Sequence, residues 1–352
     1  MTYIQKRKGY KILFIFLLFL LCVLILFVST LGVSDISFVE AVKILCSNIP
    51  FIGKYVVADA INESKKLIVL GIRLPRIILS SLIGMALAGS GVIFQGIFKN
   101  PMADPYVLGV SSGAAFGATI AIVFGLEATF IGFWAIAIMA FIGAITATLS
   151  VYYIAKIGNK TPIITLLLAG IALSFLLSSL ISLIMTFHKE QIEKIVFWTM
   201  GSVSSASWKH VIFCAPVVLI GCIFFTMFAR DLNLMLMGEE TAKSLGVEVE
   251  KIKKLLLILA SIVAASAVSV SGIIGFVGLI IPHIVRIIIG PDHRVLIAFT
   301  LVMGAIFMVI ADTLARTLMP PTEIPVGVIT SLFGTPFFIY ILYKSKKQNA
   351  MR

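Results

Sequence analysis

"LLLILASIVAASAVSVSGIIGFVGLIIPHIV", residues 255–285, contains no Asp, Glu, Lys or Arg. As one helix it would run roughly 46 Å, well past the ~30 Å hydrocarbon core of a bilayer. As two short helices it would break at Ser269-Val270-Ser271-Gly272, with Gly275 close behind. The choice sets the parity of the membrane crossings, and with it the side on which each loop and terminus lies.

Charge-free runs recur at 128–155 and 161–188. The 352-residue chain is 60% hydrophobic and 12% charged, with a mean hydropathy of +1.12. A soluble domain would carry about 25% charged residues. A transmembrane β-barrel would show ~10-residue alternating segments, and the sequence has none. The pattern is that of an all-α polytopic membrane protein, a single transmembrane domain over 1–352. Spans are expected near 12–31, 77–98, 107–124, 130–154, 163–187, 211–229, 255–271, 273–289, 295–314 and 326–343. The first is read as a retained span behind Lys6, Arg7, Lys8 and Lys11. It is too long for a signal peptide and no small-residue cleavage site follows it.

The net charge of +12 fits accumulation of Lys and Arg on the cytoplasmic side better than a nucleic-acid partner. That tendency also decides the opening ambiguity. With two helices in 255–289 the chain has ten spans and both termini inside, and 18 of its 28 Lys and Arg are cytoplasmic. With one long helix, the basic tail, Arg286 and Arg294 would lie outside and only Arg316 would come in. A broken, glycine-rich pair also resembles the discontinuous helices of transport pathways.

Small residues recur on single helical faces: Gly109, Gly113 and Gly117; Ser81, Gly84, Ala88 and Gly91; Gly170, Ser174, Ser178 and Ser182. Such stripes let helix backbones approach in lipid. The serine stripe could equally line a wet path. No phosphate-cradling glycine motif and no H-E-x-x-H occurs, so no catalytic residues are assigned. The four cysteines, Cys22, Cys46, Cys214 and Cys222, lack metal-ligand spacing, and neither a metal site nor a cofactor is expected. His283, in "GLIIPHIVR", reads as a residue near a helix end. Asn62-Glu63-Ser64 matches a glycosylation pattern and is read as chance.

An ion-coupled carrier would place acids or bases deep in the bilayer. The one candidate, Asp312 in "IADTLAR", has Arg316 four residues on, and a local ion pair would account for it. Arg73 and Arg76 flank the mouth of the second span and Arg316 ends the ninth. They read as snorkelling helix-end arginines, or as outward guanidiniums that receive carboxylates from an external protein. Between the sixth and seventh spans, in a cytoplasmic loop over 231–254, "MGEETAKSLG" has helix formers between Gly238 and Gly246. Ala242 and Leu245 form a small apolar edge there. The stretch suits a short docking helix or an ordinary solvated loop.

Several segments, in order, carry a wider likeness: "RLPRIILSSLIGMALAGSGVIFQGIFKNPMADPYVLGVSSGAAFG" (73–117), "LLLAGIAL" (166–173), "WTMGSVSSASW" (198–208), "GEETAKSLGV" (238–247), "SGIIGFVGLIIPHIVRIIIGPDHR" (271–294) and "EIPVGVITSLFGTPFFIYIL" (323–342). In these the chain resembles the FecCD-type permeases of bacterial ABC importers, which carry iron-siderophores, haem and cobalamin. The resemblance implies the cobalamin/siderophore-importer permease fold, with ten transmembrane helices and a homodimer around one central path. It implies two cytoplasmic ABC ATPase subunits, an extracytoplasmic solute-binding protein, and a place in the bacterial cytoplasmic membrane. It assigns Arg73, Arg76 and Arg316 to docking of the binding protein. The ATPase coupling helix would be Gly238, Glu239, Glu240, Ala242, Lys243, Leu245 and Gly246. Asn100 and Met102 of "KNPMADP" would form part of a cytoplasmic gate, with Thr161 in its counterpart and Ser174, Ser178 and Ser182 along the pathway. The likeness implies a permease rather than an enzyme, with a ferric siderophore as the leading cargo. An ion-coupled secondary transporter is the alternative.

Overall fold

The computed structural model describes residues 3–32, 36–47, 62–126, 132–158 and 160–350. The start of the span expected at 130 lies outside them. Among the described residues the chain is helical and contains no named strand. The helices are α1 (Tyr3–Val28), α2 (Phe38–Ser47), α3 (Glu63–Leu67), α4 (Leu74–Phe98), α5 (Val110–Val123), α6 (Ala135–Ala155), α7 (Ile163–Phe187), α8 (Ile192–Met200), α9 (Trp208–Met227), α10 (Ala229–Leu236), α11 (Glu239–Ser244), α12 (Val249–Ser271), α13 (Val277–Ile289), α14 (His293–Thr317) and α15 (Val326–Ala350). A π-helical turn over Ile68–Arg73 joins α3 to α4 without a break. Seven of these stretches are long and apolar enough to cross a membrane, and α5, α13 and the Val326–Ile341 part of α15 are shorter apolar helices.

The expected break is real. α12 ends at Ser271 and α13 begins only at Val277. Gly272 has φ +69°, and a Cβ there would lie 2.1 Å from the Trp198 carbonyl oxygen. No other residue fits that turn against so close a neighbour. Ser202 N donates to Ser271 O at 2.7 Å and Tyr106 Oη to Ile274 O at 2.9 Å, so other segments satisfy the exposed backbone. This is a requirement for irregular backbone at membrane depth. The late start of α13 puts His283 in the middle of a 13-residue helix, not near an end as the sequence suggested.

α4 is the central helix, buried along nearly its whole length between α9, α12, α13 and α14. Its small-residue stripe does what such stripes predict. A Cβ on Gly84 would meet Gly304 O of α14 at 2.1 Å, and one on Gly91 would meet Gly278 O of α13 at 1.9 Å. On α5, Gly113 and Gly117 abut Gly143 O and Met139 O of α6 at 2.4 and 2.0 Å in the same sense. The serine stripe of α7 divides. Gly170 packs against Val107 O, and Ser174 hydrogen-bonds Ser112 of α5 at 3.1 Å, while Ser178 and Ser182 stand exposed. α7 as a whole is little covered within one chain, with Leu168, Phe175, Leu183 and Phe187 open.

The charged segment at 231–254 is not a loop. It holds most of α10, all of α11, and the first turns of α12, which starts at Val249 rather than at 255. Glu250, Lys251, Lys253 and Lys254 lie within α12. Hydropathy marks where a helix leaves apolar surroundings, and helix formers carry it further.

Candidate functional site

α14 separates two polar ends of the bundle. Its first residue, His293, meets α10, and Arg316 lies near its other end, roughly 35 Å away along a 25-residue helix.

At the Arg316 end, the three sequence-predicted arginines come together around a pocket of about 500 Å³ that also includes Gly32 and Glu323. They are not three outward guanidiniums. Arg76 is buried, and its Nε lies 3.1 and 3.0 Å from the two Asp312 oxygens. Its Nη2 donates to Asp312 Oδ1 and its Nη1 to Glu323 Oε1, both at 2.9 Å. This corrects the expected pair between Asp312 and Arg316. The close crossing at Gly84 and Gly304 brings α4 against α14, and the fork of Arg76 reaches Asp312 with bidentate geometry. Arg316 turns instead to Val28 O, 2.9 Å from its Nη2, and its Nε has no hydrogen-bond partner among the described residues. Arg73 donates to Ser29 O and Thr30 O, each at 2.9 Å, with its guanidinium against Gly32.

At the opposite end, α11 is a six-residue helix held at both ends. Gly246 has φ +84°, and Val247 N donates to Ala242 O at 3.0 Å, a C-terminal cap of the type glycine favours. Glu239 accepts from Lys253 of α12 at 2.5 Å, and Lys253 is itself buried. That hydrogen bond holds the Glu239 carboxyl below its usual range. Ala242 and Leu245 do not share an edge. Ala242 is buried with Met235, Val247 and Val249, and Leu245 is exposed, as are Leu236 and Met237. Glu240 and Lys243 also face outward.

Close by, Asn100 Oδ1 accepts from Met102 N at 2.9 Å and Asp104 Oδ1 from Tyr106 N at 2.8 Å, two turns that shape "KNPMADP". Met102 borders a small pocket with Leu279, His283 and Phe338. Thr161 is buried at the foot of α7 and is not among the residues of that pocket. The sequence reading passed over a polar link next to it. Arg286 Nη1 donates to Gln95 Oε1 at 2.8 Å, and Gln95 Nε2 to Leu279 O at 3.1 Å. Its signal was there: past Arg76, Gln95 is an amide in a stretch of α4 that is otherwise apolar or small-residue. A second such cluster joins Asn233 of α10 to Asp292 and His293, at 2.6 Å to the carboxylate and 2.9 Å to the His293 backbone. The "TMGSVSSAS" segment lines a further cavity of about 430 Å³ with Ser202 and Ser205, facing Ser271, Lys194 and His210.

The family model described as the FecCD transport family matches residues 17–344. This chain belongs to the FecCD transport family. Among relatives of this FecCD permease is the cobalamin import system permease protein BtuC of Halobacterium salinarum, 43% identical over 88% of this chain and 84% of that protein. The hemin transport system permease protein HmuU of Yersinia pestis is 38% identical over 95% of this chain and 96% of its own length. A solved structure described as an inward-facing conformation of a metal-chelate type ABC transporter superposes with a TM-score of 0.81. It shares 31% identity and covers 94% of this chain and 99% of that one. The arginine end and the α11 end of this FecCD-family chain are thus two polar surfaces on a transport permease.

Proposed function

We propose that the chain is the membrane permease of a binding-protein-dependent ABC importer for a metal chelate. It works as two copies around one path and is driven by ATP hydrolysis on separate subunits. The observation that carries the reading is α11. A short helix capped by Gly246, latched through Glu239 to the buried Lys253, and offering Leu236, Met237 and Leu245 outward is a stiff lever for a soluble partner. On this reading ATP binding closes the partner ATPases and pushes α11. α10 and α12 carry the displacement to α4, α13 and α14. Gly238, Glu240 and Lys243 complete the seat. Asn100 and Met102, with Thr161, gate the inner end, where the termini lie. The positive-inside tendency supports that orientation, and counting α5, α13 and α15 as spans gives ten.

The opposite end receives the cargo-loaded binding protein. A carboxylate entering the pocket meets Arg73 and Arg316, while Arg76, held by Asp312 and Glu323, fixes the floor. Ser174, Ser178 and Ser182 then offer weak polar contacts along the path, since a tight site would retain a large chelate. A ferric siderophore is the leading cargo, with haem and cobalamin as alternatives.

The test is uptake in proteoliposomes. Cargo accumulates only with the cognate ATPase, ATP and loaded binding protein present. Arg316→Glu lowers capture of that protein at least tenfold. Accumulation by the chain alone under a proton gradient would establish an ion-coupled carrier instead. Unchanged capture would remove the docking assignment.

A further inference from the structure

Between the end of α6 and the start of α12 lies a groove of about 680 Å³. Its rim carries five lysines, Lys156, Lys160, Lys243, Lys251 and Lys254, against two glutamates, Glu248 and Glu250. Both glutamates are already engaged, Glu248 by Lys251 and Glu250 by the buried Lys253 at 3.5 Å. Among the described residues, Lys156, Lys160 and Lys243 form no ion pair. Lys254 lies over the Tyr152 ring, 5.7 Å from its centroid. Five lysines against two glutamates thus leave the groove with an excess of positive charge among the described residues, with Glu239 near Lys243 outside its lining.

The surroundings say what would compensate it. Tyr153, Ile154, Ile157 and Leu255, which neighbour Lys156 and Lys254 in sequence, are exposed outside the groove's own lining. Paired tyrosines at the end of an apolar helix mark the level where a bilayer meets water. An apolar wall running directly into a basic rim fits a molecule with acyl chains and an anionic head. Clusters of lysine beside membrane helices attract anionic lipid, several-fold per lysine near the surface. A soluble acidic protein would use the lysines but leave the isoleucines bare.

We propose that this groove binds the phosphate headgroup of an anionic phospholipid, with its chains along α6 and α12. The headgroup then rests against Lys243 and Gly246 at the end of α11 and braces that helix from the membrane side. The site stands whether or not α11 seats an ATPase.

The purified chain is titrated with short-chain phosphatidylglycerol, phosphatidylcholine and glycerol phosphate, and bound species are read by native mass spectrometry. Phosphatidylglycerol binds at least tenfold tighter than phosphatidylcholine. The Lys156→Glu/Lys254→Glu variant, checked for unchanged helicity and monodispersity, loses that preference, and Lys156→Arg/Lys254→Arg keeps it. Equal binding of the two lipids, or an unchanged preference in the glutamate variant, overturns the proposal. Competition by glycerol phosphate as strong as by the lipid reduces the groove to a site for a free anion and overturns it equally. If the glutamate variant keeps its lipid preference but no longer holds the cognate ATPase, the face belongs to that protein.

Discussion

Arg76 and Asp312 illustrate how much one buried pair can depend on a partner far away in sequence. Three N–H groups of Arg76 are saturated by Asp312 and Glu323, 236 and 247 residues away. Removing Arg76 leaves Asp312 charged and unpaired in the interior, at a cost of about 3–5 kcal/mol, and removing Asp312 leaves the buried Arg76 with Glu323 alone. Arg76→Ala and Asp312→Ala should therefore each unfold far more readily in detergent than wild type. Arg76→Met/Asp312→Leu should recover much of the loss, because apolar replacements leave no orphaned charge. Thermal or denaturant unfolding of purified variants checks this. Arg316, on a neighbouring turn, has one carbonyl partner among the described residues, so Arg316→Glu should act on docking far more than on stability. Sequence alone could place Asp312 and Arg316 on one helical face. It could not show that Arg76 would reach the carboxylate first.

At the scale of the element, the crossing of α4 on α14 has almost no slack. A Cβ on Gly84 would overlap the Gly304 carbonyl, so Gly84→Ala must push the helices apart, at about 1–3 kcal/mol. The same shift lengthens the Arg76–Asp312 pair that spans these two helices, so the two effects should not add independently. A double-mutant cycle measures that coupling. α11 supplies a pH-dependent counterpart. Glu239 sits below its ordinary range because it accepts from Lys253. The folded state binds this proton less readily than the unfolded chain. The latch is therefore fully in force above the ordinary carboxylate value, about 4.3, and is lost as pH falls through the depressed folded value. Exchange of the 239–247 amides, corrected for intrinsic rates, should quicken as pH drops through that window. Glu239→Gln should show the loosened behaviour at neutral pH and remove the pH step. The capped C-terminus of α11 was legible from Gly246, because the αL turn is a local backbone requirement. The inward turn of Ala242 was not, because it depends on Met235 and Val249 in flanking helices.

At the scale of the whole molecule, one chain leaves an apolar face of α7 uncovered. α7 exposes Leu168, Phe175, Leu183 and Phe187 together with Ser178 and Ser182. Such a face is either lipid-facing or shared between copies. The two-copy permease proposed above predicts the latter for its serine side. In a background where Cys22, Cys46, Cys214 and Cys222 are replaced, Ser182→Cys should cross-link two copies through a short bifunctional reagent. An outward residue of α1 such as Phe19→Cys should not, since α1 packs on α14 at the rim. Equal cross-linking at both positions would mean random collision in the micelle.

The amino-acid sequence determined the features that rest on local chemistry. Runs without charge demanded membrane helices, and the distribution of Lys and Arg favoured the break that Gly272 makes between α12 and α13. Spaced glycines in α4 and α5 demanded close crossings, because neither lipid nor backbone geometry offers another solution. Only the tertiary structure decided the features that rest on which helix lies across from which. It gave Asp312 to Arg76, split the α7 serines between packing and exposure, and gathered five lysines from α11, α12 and the segment between α6 and α7 around one groove. Periodicity fixes the face a residue occupies on its own helix; the identity of the opposing surface is set by long-range packing, where a displacement of one helical turn exchanges every partner.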